Sequence, residues 1–140
     1  MEYKKINDTI IVRFNRGEEI IEQLMTLVKK EKIKLGMINA LGATDNFKVG
    51  AYSVDEQKYY SKEYTGTYEI VSLHGNISTM NDEPYLHLHM SCAGEDGVVV
   101  GGHLNNCVIN ATCEMFITLI DGNVDRMKDP ETGLNIYNFN

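Results

Sequence analysis

The run Tyr85-Leu86-His87-Leu88-His89-Met90 alternates in chemistry with a period of two. Only an extended strand turns that alternation into two faces, because successive strand side chains point to opposite sides. Leu86, Leu88 and Met90 read as core. Tyr85, His87 and His89 then share the face that meets solvent, a cleft or another subunit. Fourteen positions after His89 stands His103, preceded by Gly101-Gly102. Three of the chain's 4 histidines therefore fall in this stretch.

Three neutral imidazoles and one open position make the ligand set of a reactive zinc site. His87, His89 and His103 are thus the candidate metal ligands, and Zn²⁺ or another divalent transition metal is the expected cofactor. A His-x-His pair alone is commonly two polar residues on a wet face. The third histidine raises the pattern to a candidate site, because Gly101-Gly102 suits the close approach of two strands. No Cys or carboxylate completes a closed structural-zinc pattern. The fourth position falls to water, substrate or a nearby acid. Glu114 and Glu69 are the acid candidates, and for each a solvated or structural carboxylate is the commoner reading. Arg13, on the first strand, either forms a salt bridge or faces the site. His74 shares its strand face with Tyr68, Ile70 and Ser72 and reads as a hydrogen-bonded strand histidine.

The connection Gly94-Glu95-Asp96-Gly97 is tight enough to make a hairpin of the flanking strands. Directly opposite residues share a face. Pairing Ala93 with Gly97 sets His103 opposite His87, on the histidine face. Pairing Ala93 with Val98 sets His103 opposite Leu88, on the core side, unless a bulge at Gly101-Gly102 corrects it. Both registers remain open to the sequence.

Before this hairpin, Thr9–Phe14 is a β-rich run, and Arg16-Gly17 turns the chain. Ile20, Leu24, Leu27 and Val28 then recur at helical spacing, widened by Ile21 and Met25. Glu18 and Glu19 open that helix, and Lys29, Lys30, Lys32 and Lys34 crowd its end; both placements complement the helix dipole. Gly36 is the expected stop. Strands follow over Met37–Thr44, Phe47–Val54, Lys58–Tyr64 and Thr67–Thr79, with Gly66 breaking the last two apart. Asn110–Asp121 is a final long strand, Asp121-Gly122-Asn123 a turn, and Leu134–Phe139 a terminal strand or docking tail. One helix among about eight strands gives an α+β class with a mostly antiparallel sheet. At 140 residues the chain is read as a single domain, 1–140. Strands this long and apolar leave a face that one helix does not cover, and oligomerisation is the expected remedy.

The formal charge of −7 argues against a phosphate-gripping surface. The lysine cluster has its explanation in a helix end. No apolar run reaches the ~18 residues of a membrane span, and no signal-peptide pattern opens the chain, so no membrane association and a cytoplasmic location are expected. Cys92, Cys107 and Cys113 are odd in number and lack CxxC spacing, so they read as reduced, buried small hydrophobes.

Motifs in order along nearly the whole chain resemble the PPC (plants and prokaryotes conserved) domain, also found beside AT-hooks in plant nuclear proteins. They are Arg13 with Gly17-Glu18-Glu19-Ile20, Leu41-Gly42-Ala43, and Gly66-Thr67-Tyr68-Glu69-Ile70 with Ser72-Leu73 and Gly75. His87-Leu88-His89, Gly101-Gly102-His103-Leu104 and Thr112-Cys113-Glu114 complete the set. The resemblance implies an α+β fold that assembles as a homotrimer, and a stand-alone bacterial-type member of the kind labelled predicted DNA-binding protein. In plant members a Gly-Arg-Phe-Glu-Ile segment contacts other proteins. Here it reads Gly66-Thr67-Tyr68-Glu69-Ile70, without the arginine. The Arg-Gly-Arg-Pro hook that reaches AT-rich DNA is absent from this chain. Tight direct DNA binding is therefore not expected, while protein-mediated association with DNA or a regulatory role stays open. A cupin also uses His-x-His and a later histidine, but the early helix and these motifs argue against it. The alternative function is a metal-dependent enzyme acting on an unknown small molecule. No Ser-His-Asp arrangement, phosphate-binding loop or dinucleotide fingerprint offers another chemistry.

Overall fold

The computed structural model describes residues 1–140. Strands β1 (Glu2–Ile6) and β2 (Thr9–Asn15) precede helix α1 (Ile20–Glu31). Strands β3 (Gly36–Ser53), β4 (Lys58–Met80), β5 (Glu83–Gly94), β6 (Val99–Leu119), β7 (Asp125–Lys128) and β8 (Asn135–Asn138) follow. The α+β class with one helix and a mostly antiparallel sheet is the observed architecture. The main sheet runs β1-β2-β6-β3-β4-β5, and β5 also pairs with β6. That extra pairing closes β3, β4, β5 and β6 into a barrel.

Each long strand absorbs two segments that the sequence separates. β3 spans both 37–44 and 47–54, and β4 runs unbroken through Gly66, which bends at φ 128 without ending it. Register shifts in β3 at Ala40/Gly42 and Thr44/Asn46, and in β4 at Ile70/Ser72, let such strands curl around a core.

The core holds 24 buried apolar residues, with Phe14, Phe47, Leu73, Leu88 and Met115 of the sheet among them. Helix α1 closes one side with Ile20, Leu24, Leu27 and Val28. Glu19 starts it: one carboxylate oxygen accepts from the Glu22 N–H at 2.8 Å, and the other accepts from the Cys107 N–H of β6 at 2.8 Å. The helix ends before the expected Gly36. Lys32 takes the left-handed cap conformation at φ 53, and the Ile33 N–H returns to the Val28 carbonyl at 3.0 Å. Buried Ile33 anchors that closure, as in a Schellman ending. Gly36 instead opens β3.

Candidate metal centre

The β5–β6 hairpin adopts neither of the two registers read from the sequence. Ala93 pairs with Val99, so His89 lies directly opposite His103. The reason is the connection. The Gly94 N–H bonds the Val98 carbonyl at 3.0 Å, the Gly97 N–H bonds the Gly94 carbonyl at 2.9 Å, and the Asp96 carboxylate accepts from the Val98 N–H at 3.0 Å. Val98 is consumed by the turn, and pairing starts one residue later. Direct opposition puts His103 on the histidine face without any corrective bulge.

β6 serves two neighbours at this point, since His103 also stands opposite Gly50 of β3. The bare Gly101-Gly102 backbone permits it. A Cβ at Gly102 would strike the backbone of Gly50, and one at Gly101 would strike the Met90 carbonyl.

The three imidazoles converge as the parity argument requires. Their ligating atoms lie within 4.8 Å of one another, and their ring centroids are 5.2, 5.4 and 5.5 Å apart. Three nitrogens held 2.0–2.1 Å from a tetrahedral zinc sit about 3.3 Å apart. The cluster is therefore somewhat wider than a bound ion would hold it. Burial, reinforced by Arg126 and the other two imidazoles, lowers the His87 pKa to about 4. Burial and then His89 lower that of His103 as well. Both rings are neutral at pH 7, with lone pairs free to ligate. The Tyr59 ring meets His103 edge-on at 6.1 Å and is fixed by its hydroxyl, which donates to the Asn105 side-chain oxygen at 2.7 Å.

The three histidines line a cavity of about 880 Å³. Its far wall is the β7–β8 hairpin, which packs over the outer face of β4 and β5. Arg126 of β7 is the centre of that packing. Its guanidinium lies 4.6 Å from the Tyr85 ring and 4.3 Å from the Tyr137 ring. It donates to the Ser78 hydroxyl at 2.8 Å, the Asn135 carbonyl at 2.8 Å and the Asn76 side-chain oxygen at 2.9 Å. Nothing in the local sequence singles out Arg126. Asp125-Arg126-Met127-Lys128 looks like a solvated charged stretch; the turn-rich Asp129-Pro130-Glu131-Thr132-Gly133 after it was the readable hairpin signal.

The other candidates lie apart from the cavity. Glu114 is exposed on β6 opposite Arg13 and Leu41, and Glu69 is exposed on β4 opposite Ala43 and Ala93. Arg13 is exposed and pairs with Glu2 at 2.5 Å, so its salt-bridge alternative is the observed one. His74 stands opposite His89 on β4, outside the cluster, with its Nδ1 3.2 Å from the Ser72 hydroxyl. All three cysteines are buried and free, and burial pushes each thiol up to about 12.

Comparison with known proteins bears on this geometry. A model of the Plants and Prokaryotes Conserved (PCC) domain matches residues 1–121. A crystal structure of a Bacteroides thetaiotaomicron protein, provisionally named for DNA binding, superposes with a TM-score of 0.96 at 34% identity, covering 99% of this chain and 96% of that one. A protein of Archaeoglobus fulgidus described as metal-containing gives 0.87 at 29% identity, covering 98% of both chains. A plant- and prokaryote-conserved (PPC) protein of Pyrococcus horikoshii gives 0.85 at 30% identity, covering 98% of this chain and 93% of that one. No curated protein matches. The β7–β8 hairpin lies beyond the residues that the family model matches.

Proposed function

Because the chain belongs to the Plants and Prokaryotes Conserved domain family, we propose that it is a metal-binding member in which His87, His89 and His103 hold a divalent transition ion, zinc foremost, before a small-molecule cavity. One observation carries this reading: three histidines from two strands present their ligating atoms within 4.8 Å of one another on the wall of that cavity. The low pKa of His87 and His103 supports it, since ligation needs neutral imidazole. The Archaeoglobus relative, described as metal-containing, supports it too.

A zinc ion so held supplies a Lewis acid and lowers the pKa of a bound water to about 7. The protein's part would be to supply His87, His89 and His103 as ligands and to keep them on the wall of the cavity. That is the arrangement of an enzyme acting on a small molecule, and it is the activity we favour.

The 34% identity to the Bacteroides protein supports a second reading, association with DNA. The −7 charge and the missing basic hook direct that reading to DNA reached through partner proteins. In either role the chain acts as a homotrimer. The outer sheet face supports self-association, with Met37 59%, Leu41 58% and Phe116 51% exposed.

The test is elemental analysis of protein purified without a His tag, beside His89→Ala. Stoichiometric metal in the wild type that is lost in the variant is the expected result. No metal in either, even after zinc is supplied, reduces the three histidines to a polar face.

A further inference from the structure

We propose that Arg126 and the histidine face together form a binding site for a small organic carboxylate. Arg126 is only 6% exposed, yet no carboxylate neutralises it. The chain's ion pairs are Met1 with Glu18, Arg13 with Glu2, and Lys29 with Glu83. Its three hydrogen bonds go to neutral oxygens. A guanidinium has five N–H groups, so two are left to donate. A buried charge without a counter-ion is costly, and the sandwich of Tyr85 and Tyr137 offsets only part of that cost. A bound anion supplies the rest.

The cavity favours the same conclusion. None of its 16 lining residues is acidic, in a chain with 20 Asp and Glu. Its only fixed charge is Arg126, and a metal ion on the three neutral imidazoles adds to the same sign. The one charge that lines it is thus positive although the protein is acidic overall.

A guanidinium fork matches a carboxylate or a phosphate, and a lining with one Arg and no Lys suits the single charge of a carboxylate. Tyr52, Leu134 and Ile136 line the remaining wall, which suits an organic body with apolar or aromatic surface. About 880 Å³ lies within the roughly 300–1,000 Å³ typical of small-molecule sites. The inference rests on the metal reading only for the second anchor, since the Arg126 anchor stands without an ion.

Isothermal titration of the full chain, zinc-loaded and metal-free, with benzoate, benzamide and phenyl phosphate tests this. Benzoate is expected to bind at least about tenfold tighter than benzamide, the loss that a missing charged hydrogen bond brings, and no more weakly than phenyl phosphate. It should bind tighter still to the zinc-loaded form. Arg126→Gln should weaken benzoate binding by about tenfold or more with zinc content unchanged. Arg126→Lys, which keeps the buried charge but loses the fork, should fall between. Benzamide matching benzoate, unaltered binding by folded Arg126→Gln or Arg126→Lys, or no benzoate binding by the wild type overturns the proposal. A preference for phenyl phosphate overturns the carboxylate class. Failure of the metal reading is separately visible: no zinc is found, while benzoate binding still depends on Arg126.

Discussion

Leu88→Ala and His89→Ala, adjacent on β5, should separate stability from metal binding. Leu88 is 1% exposed on the core face, and His89 is exposed on the cavity face. Leu and Ala differ by three carbons, which at about 0.8 kcal/mol each costs about 2.4 kcal/mol in transfer alone. The residue opposite Leu88 on β4 is Gly75, which has no side chain to move into the gap. The cavity therefore persists, and the total rises to about 3–4 kcal/mol. With a urea slope of about 2 kcal/mol/M the midpoint falls by about 1.5–2 M. His89→Ala removes an exposed side chain and should change metal-free stability by no more than about 0.5 kcal/mol. Urea unfolding of both variants is followed at one fixed protein concentration with chelator present, because assembly and metal each shift the midpoint. Zinc content is measured in parallel without chelator. Leu88→Ala should retain zinc while losing stability, and His89→Ala the reverse. A His89→Ala midpoint as low as that of Leu88→Ala, or loss of zinc in folded Leu88→Ala alone, would refute the assignment of the two faces.

Further outcomes concern pH, assembly and DNA. In the metal-free protein, folded His87 has a pKa of about 4 against about 6.5 when unfolded, so between those values the unfolded chain binds the extra proton. Stability is then full above about pH 6.5 and lost as pH falls toward 4; screening of this half-buried ring brings the nominal about 3 kcal/mol down to about 1–2. Urea midpoints at pH 7 and pH 5 should show a smaller loss in His87→Ala than in the wild type. Light scattering at micromolar concentration should give a trimer mass for the wild type and a smaller one for Phe116→Glu, which places a charge on the 51%-exposed outer face; a wild-type mass near 15.8 kDa contradicts trimer assembly. Duplex DNA should show no mobility shift with submicromolar protein in about 150 mM salt, where phosphate contacts are already weakened.

The residues along each short segment were enough to define the strand of alternating leucine and histidine, the amphipathic helix, the buried cysteines and the family motifs. Each is a pattern set by near neighbours, and strand or helix geometry converts it directly into faces. The choice of register was different. Val98 belongs to the turn because of hydrogen bonds to Gly94 and Asp96, so His103 meets His89 rather than His87 or Leu88. The close packing of Gly102 on Gly50 exists only because β6 is shared between β5 and β3 when the barrel closes. Arg126 reaches Tyr85 and Asn76 across 41 and 50 residues of chain. No local pattern marks such a partner, because the burial that makes its charge informative arises only when β7 and β8 fold over the sheet. The histidines were therefore readable as a face from their spacing alone, while their meeting point came from closure of the sheet and the cation in the same cavity from the β7–β8 hairpin folding over it.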